Sequence, residues 1–318
     1  MCALALGLAA CGGGNPFVEG GDTTPGGGTE TSDVPESILS DLEQISFDAD
    51  TNTLTVTGLT QDGVPLVNMY TPVAETFVPG YVTFTGQNDP LGRHATAFVA
   101  SREGVQAGVV MTGSQFNKFF GGAFFERTGS YEAPTAPDSA FDVTYHGRYA
   151  GGLNGVGPQT NLLPTTGLDS DVNLPTQTAY IRGLMFVNVD LNDLSVEGEI
   201  YDRTAVFGGT TDPTAQRLLD LPDLVLVEGV LTGDGTFSGN LEIDASDPDP
   251  GTPANPIGSD IGDFAGVIGG EQGAAMAGGI TAENFTETLE NEIEYGVFVL
   301  DLCVAGSTDP ICVNALSP

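Results

Sequence analysis

Apolar and polar residues alternate in short runs along most of this chain, and turn-forming residues separate the runs. Such a period of two places successive side chains on opposite faces of a strand, so the pattern predicts β-structure with one face buried. Ile45 and Phe47, then the DADTN turn, then Leu54 and Val56 read as a hairpin. Tyr81 to Thr85, His94 to Ala100, Val105 to Met111 and Phe119 to Glu126 follow as strands. Together they predict a β-rich handle domain over residues 37–134. The segment Tyr131 to Ser139, with Pro134 and Pro137, marks a boundary.

A second series begins after it. Phe141, Val143, Tyr145, Gly147 and Tyr149 alternate with Asp142, Thr144, His146 and Arg148. Further runs cover Tyr180 to Val189, Ser195 to Arg203, Leu224 to Leu231, Thr236 to Ile243, Asp263 to Gly269, Ala274 to Ile280 and Glu294 to Leu302. Eight strands over residues 139–302 suit an antiparallel barrel filled by side chains, which leaves no exposed edge. A sandwich uses the same alternation, and so does an integral outer-membrane barrel. Acidic outward-reading positions and the lack of tryptophan and of paired aromatic girdles favour a barrel in water. Glycine beside an aromatic recurs in these strands, where the small residue lets the sheet bend and the ring fills the interior. Gly151 to Thr178, Phe207 to Pro222 and Asp244 to Ser259 read as surface loops. The fold class expected is all-β, a handle followed by an eight-stranded antiparallel barrel.

Composition changes the picture in two ways. The 43 acidic against 8 basic side chains give a net charge of -35, which excludes broad binding to nucleic acid. With 40% hydrophobic and only 16% charged residues, there is still enough apolar material for substantial cores.

The N-terminal end carries its own signal. A short apolar run from Ala3 to Ala10 leads into Cys11 and three glycines. Leu8, Ala9, Ala10 and Cys11 resemble a bacterial lipoprotein processing box, in which small residues fit the protease and the cysteine thiol accepts a diacylglycerol. Gly12 behind the cysteine resembles the sorting signal for the outer membrane. Residues 1–11 then read as a signal remnant and residues 12–36, rich in glycine, hydroxyl and acidic groups, as a flexible tether. Of the four cysteines, Cys2 leaves with the signal and Cys11 carries lipid. Cys303 and Cys312 remain, bracketing a turn-forming segment in the tail 303–318, and a disulfide between them is expected in an oxidising compartment.

The order of the strand motifs suggests a family. YHGRYAG at 145–151, VDLNDLSVEGEIYDR at 189–203, TGDGTFSGNLEI at 232–243 and DFAGVIGGEQGAAMAGGI at 263–280 resemble the barrel of transferrin-binding protein B-like surface lipoproteins. The positions carrying the likeness are Tyr145, Gly147, Arg148, Tyr149, Gly151, Gly198, Arg203, Phe237, Gly239, Phe264, Gly266, Gly269 and Gly270. The resemblance implies a lipid-anchored outer-membrane protein that captures a protein ligand, with haem carriage as the second reading. It brings no ligand-binding residue with it, because no matching site motif is present.

Candidate chemistry is sparse. Asp48, Asp50 and Asn52 begin like a calcium loop, yet Thr53 stands at its glycine position and Leu59 at its terminal glutamate, so a turn is expected and no metal. His94 and His146, in GRHA and HGR, read as exposed strand positions; haem ligation is the functional alternative. Glu294 with Asp301, and Glu197 with Glu199, are acidic pairs of the kind glycoside chemistry uses, without a spacing that specifies it. GGTT at 208–211 and GGEQG at 269–273 read as turns and close packing. The chain carries no nucleophile elbow, Walker loop, dinucleotide fingerprint or HExxH motif, and a non-enzymatic binding protein without catalytic residues is expected.

Overall fold

The computed structural model describes residues 34–48, 50–58, 67–136, 142–165, 173–245 and 257–315. Cys2, Cys11 and the tether up to residue 33 lie outside them. The fold is all-β, with a curled seven-stranded handle packed on the wall of a closed eight-stranded barrel.

The handle comprises β1 (Leu42–Asp48), β2 (Thr53–Gly58), β3 (Val67–Pro72), β4 (Val82–Gly86), β5 (Ala95–Arg102), β6 (Val105–Thr112) and β7 (Gly121–Arg127), paired in sequence order. The sheet rolls until its ends meet: Asp41 N–H donates to the Gly121 carbonyl at 3.1 Å, and Gly121 N–H donates to the Asp41 carboxylate at 3.0 Å. Leu54, Val56, Phe84, Ala97, Val99, Val110 and Phe124 fill the inside of the roll. A four-residue helix, α1 (Glu36–Leu39), precedes β1 and buries Ile38 completely.

The barrel is β8 (Asp142–Val156), β9 (Thr178–Asp190), β10 (Ser195–Gly208), β12 (Leu224–Leu231), β13 (Thr236–Ile243), β14 (Gly262–Gly269), β15 (Ala275–Glu283) and β16 (Ile293–Leu302). Each pairs antiparallel with the next, β16 returns to β8, and the β8–β9 and β9–β10 ladders close the ring. A short strand, β11 (Gln216–Asp220), extends the upper half of β10 beyond the ring. The eight expected barrel strands are therefore present, and closure excludes the sandwich. Inward positions of every strand share one core, from Val143 and Tyr149 to Phe298 and Leu300.

Inside the barrel the glycine and aromatic positions pair across strands. Phe237 faces Gly266 and Phe264 faces Gly239, and a Cβ on either glycine would overlap the opposing ring. Phe298 covers Gly278 in the same way, and Tyr149 covers Gly296. The rings occupy volume that the glycines leave open, which allows a narrow barrel to be packed solid.

The handle lies on the outside of β14, β15, β16 and β8. Phe98, Val105, Ala107, Val109, Met111, Ala123 and Phe125 share a core with the outward-facing Ala150, Ala265, Val267, Ala275, Ala277 and Val297. Polar bonds reinforce this seam. Tyr81 donates to the Arg148 carbonyl at 2.9 Å, Arg127 donates to the Ile268 carbonyl at 2.9 Å, and Ser40 and Tyr295 share a hydroxyl bond of 2.6 Å. Gly269 lies beneath Val105 and Arg127, close enough that a Cβ there would collide with both.

Several boundaries differ from expectation. Val34 is buried in the seam, so the last residues of the predicted tether are packed. β3 was not anticipated. Residues 151–156 continue β8, while Phe207 and Gly208 belong to β10 and residues 216–220 to β11, so two predicted loops are shorter than their sequence suggests. The tail folds into α2 (Pro310–Ala315), tied back by a Cys303–Cys312 disulfide with the Cα atoms 5.1 Å apart.

Candidate binding surfaces

Among the described residues, three places bear on the candidate chemistry, and their depth separates them. The first is sealed inside the barrel. Inward alternation carries Glu294 of β16 into the core beside Gly296 and Phe298, while Asp202, with φ at 51°, sits in an irregular stretch of β10 that brings Arg203 inward. Arg203 donates to the Glu294 carboxylate and to the Pro222 carbonyl, Tyr149 donates to the other Glu294 oxygen, and Phe285 lies 5.0 Å from the guanidinium. Both members of the ion pair are fully buried. Burial pushes the Glu294 carboxyl up, against the opposing pull of Arg203, and it holds the Tyr149 hydroxyl well above its ordinary range. The pair lies in a packed interior that offers a substrate no access, so it serves as internal wiring of the barrel.

Burial also divides the acidic pairs noted in the sequence. Glu294 is inside the barrel, whereas Asp301, seven residues on, faces outward and forms an exposed ion pair with Arg102 of the handle. They lie on opposite sides of one strand, which rules out a pair acting on one sugar. Glu197 sits at an exposed position on β10.

The second place is a cleft of about 830 Å³ bounded by the outer wall of β8, β9 and β16, the handle residues Gly80–Tyr81 and 100–102, and the disulfide-tied segment after β16. His146 lies in it, largely covered rather than exposed as the sequence suggested. Its Nδ1 is 3.1 Å from an Asp309 oxygen, and its Nε2 is 3.0 Å from the Tyr201 hydroxyl. Burial, and then the neighbouring carboxylates, push the Tyr201 phenol up to about 12, so it remains a neutral hydroxyl. Both ring nitrogens of His146 have partners, and neither is left to ligate haem iron.

The third place is the far end of the handle, where the β8–β9 connection returns across it. Leu163 N–H donates to Gln87 Oε1 at 2.7 Å, Thr176 N–H donates to the Ser114 carbonyl at 3.2 Å, and Gln115 Nε2 donates to the carbonyls of Leu91 and Asn173 at 2.9 and 3.1 Å. His94 is fully buried here, a second departure from the exposed reading. It lies beside the Asn161 backbone, yet neither ring nitrogen makes a hydrogen bond of normal geometry, and burial pushes its imidazole down to about 4. It has no open side from which haem would approach.

Next to this clasp is a tight two-residue turn between β6 and β7. Gln115 and Lys118 exchange backbone hydrogen bonds of 3.0 and 3.1 Å, and the residues between them, Phe116 and Asn117, both adopt the left-handed region at φ 56° and 55°. Asparagine tolerates that conformation; a bulky phenylalanine does so at a cost. Arg93 braces the turn by donating to the Lys118 and Gln115 carbonyls while packing 4.8 Å from the Phe120 ring. Phe116 is nevertheless 62% exposed. Sequence reasoning did not single it out, although FN in place of the NG or DG usual in such turns was a readable anomaly.

Among the described residues no cluster of three or more histidine, cysteine or acidic side chains is placed to hold a metal ion, and no helix is long and apolar enough to cross a membrane.

A curled handle docked on a closed, filled barrel is the all-β arrangement that the strand pattern predicts. No family model and no curated protein matches the chain. Among solved structures it is similar to isotype 1 transferrin binding protein B from serogroup B Neisseria meningitidis, at 16% identity and TM-score 0.38, over 84% of this chain and 42% of that one. A mutant transferrin binding protein B from Haemophilus parasuis matches at 12% identity and TM-score 0.38, over 83% of this chain and 45% of the other. A structure described as a surface lipoprotein matches at 13% identity and TM-score 0.35, over 82% of this chain and 97% of that one. The chain thus spans about half the length of the transferrin binding proteins it matches.

Proposed function

We propose that this protein is a lipid-anchored binding protein of the bacterial outer membrane, held through Cys11, that captures a protein ligand at the end of its handle. The observation that carries this reading is the Phe116 turn. A strained backbone persists only where its surroundings hold it, and such strain concentrates at ligand-contacting positions. Here Arg93, Gln115 and the returning β8–β9 connection hold the turn, so the backbone that carries the exposed ring is fixed in place. Rigid aromatic anchors of this kind dominate protein interfaces. Leu91 and Leu174, 41% and 40% exposed, extend the apolar surface around it. Haem carriage has no such support, since His94 is enclosed and His146 is fully bonded.

The test separates folding from binding. Phe116→Asn places a residue suited to the left-handed turn and should raise stability by about 1 kcal/mol in denaturant unfolding. The same change should abolish stoichiometric recovery of the protein partner that the wild-type body captures from native growth medium. Equal recovery by both forms would overturn the assignment. In a precursor of native length, Cys11→Ser should lose its lipid label; a retained label would remove the anchor from the proposal.

A further inference from the structure

We infer that the 830 Å³ cleft between handle, barrel wall and C-terminal segment is a binding site for a small amphipathic carboxylate, with its charged head on Arg148 and its apolar body along Leu184, Val299 and Val304. This does not rest on capture of a protein at the handle end, which uses a different surface.

The volume falls within the range of small-molecule sites, about 300 to 1,000 Å³. Its charges are unevenly committed. Arg102 is paired with Asp301, and His146 is bonded to Asp309 and Tyr201. The Arg148 side chain has no ion pair or hydrogen bond among the described residues. Among the described residues only Arg102 and Arg203 of the basic side chains have a carboxylate partner; exposed Arg148 is one of several that do not, and the sheet register sets what surrounds it. Arg148 lies between Val299 of β16 and Leu184 of β9, both apolar. Its nearest carboxylate on β16, Asp301, is diagonal to it and is taken by Arg102.

The handle pins this stretch of wall. Tyr81 bonds to the Arg148 carbonyl at 2.9 Å, and a Cβ on Gly80 would stand 3.6 Å from Arg148 Cδ, so the arginine stem lies along the glycine backbone. The disulfide and the His146–Asp309 contact hold the opposite wall, which carries Val304, 57% exposed. An unpaired guanidinium bordered by aliphatic side chains matches a ligand with one anionic oxygen pair and a short hydrocarbon tail. A guanidinium binds a carboxylate through two parallel N–H donors. Physiological salt screens the overall negative charge beyond about 8 Å, so only carboxylates close to the cleft oppose an anion there.

The full chain is to be titrated with octanoate, octanamide and acetate in physiological salt, and binding read by calorimetry and by the NMR shift of a carboxylate-labelled octanoate. Saturable one-to-one binding of octanoate is expected, with octanamide and acetate each at least about tenfold weaker, because one lacks the charge and the other the tail. Arg148→Gln should weaken octanoate by about tenfold or more. Val304→Asp, which sets a like charge at the exposed mouth, should weaken it as well. Arg217→Gln, whose arginine packs on Phe207 away from the cleft, should leave it unchanged. Octanoate binding that survives both Arg148→Gln and Val304→Asp, octanamide binding as tight as octanoate, or no saturation up to about 10 mM would each overturn the inference.

Discussion

The two halves of the barrel wall are built from the same kind of strand and bury it differently. On β12 and β13 buried and solvent-facing positions alternate; Leu226, Leu231, Phe237 and Leu241 point inward, while Glu228, Val230 and Ser238 face water. On β14 and β15 the alternation is lost: every residue from Phe264 to Ile268 and from Ala275 to Ala282 is buried. The cause is the handle, whose β5, β6 and β7 cover the second half and are themselves buried on both faces over most of their length. A strand covered on both sides requires apolar residues at both parities, and small ones where two sheets meet closely. The covered wall accordingly uses alanine, valine and glycine outward, where the open wall uses glutamate, serine and exposed valine. A barrel in contact with lipid would need an apolar band all round; here the open outer face of β12 and β13 carries Glu228 and Ser238 beside Val230, and the continuous apolar cover lies under the handle.

Three experiments sharpen this contrast, in decreasing order of effect. Inside the ring, Arg203→Met leaves Glu294 buried with only Tyr149 as partner. It should cost about 3 to 5 kcal/mol in equilibrium unfolding, most of it recovered when Glu294→Leu is added, since replacing both partners by apolar groups removes the uncompensated charge. A single mutant of wild-type stability would mean that the pair does not hold the interior. On the walls, Val267→Asp and Val230→Asp make the same chemical change. The first buries an unpaired carboxylate in the seam and should cost about 3 kcal/mol, the second stays in water and should change stability by about 0.5 kcal/mol or less. Similar losses at both sites would mean that the handle does not cover the wall.

The smallest effect concerns the clasp. The folded His94 imidazole lies at about 4 against an ordinary 6.5, so between these values the unfolded chain binds more protons than the folded one. Its contribution is present in full above pH 6.5 and is lost as pH falls toward 4, by about 2 to 3 kcal/mol in all. His94→Asn should flatten unfolding free energy against pH in that window relative to wild type; an unchanged slope would place His94 in contact with water.

Much of this was legible in the chain because period two is a local property. Phe237, Gly239, Phe264 and Gly266 announced their inward face within a few residues of their own sequence, and the strand count followed. Even the separation of Glu294 from Asp301 was there to be read, since an odd spacing of seven sets two side chains on opposite faces of a strand. β3 and β11 escaped because their segments, VNMYTP and QRLLD, show too little alternation to stand out from the adjoining polar residues. The histidines were misread for another reason. Alternation identifies a face, and it does not say what covers that face: His94 is enclosed by a connection from the barrel, and His146 is engaged by Asp309 far along the chain.

Local pattern along the chain specifies the class of structure, the parity of the barrel strands and the pairing of the two late cysteines. Closure of the ring, the docking of handle on wall, the sealed Arg203–Glu294 pair and the unpaired Arg148 in its cleft were decided only by tertiary structure. Strand parity arises between adjacent residues, whereas burial of an outer face and the fate of a charge depend on groups brought close from over a hundred positions away, as Glu294 is to Tyr149 and Asp301 to Arg102.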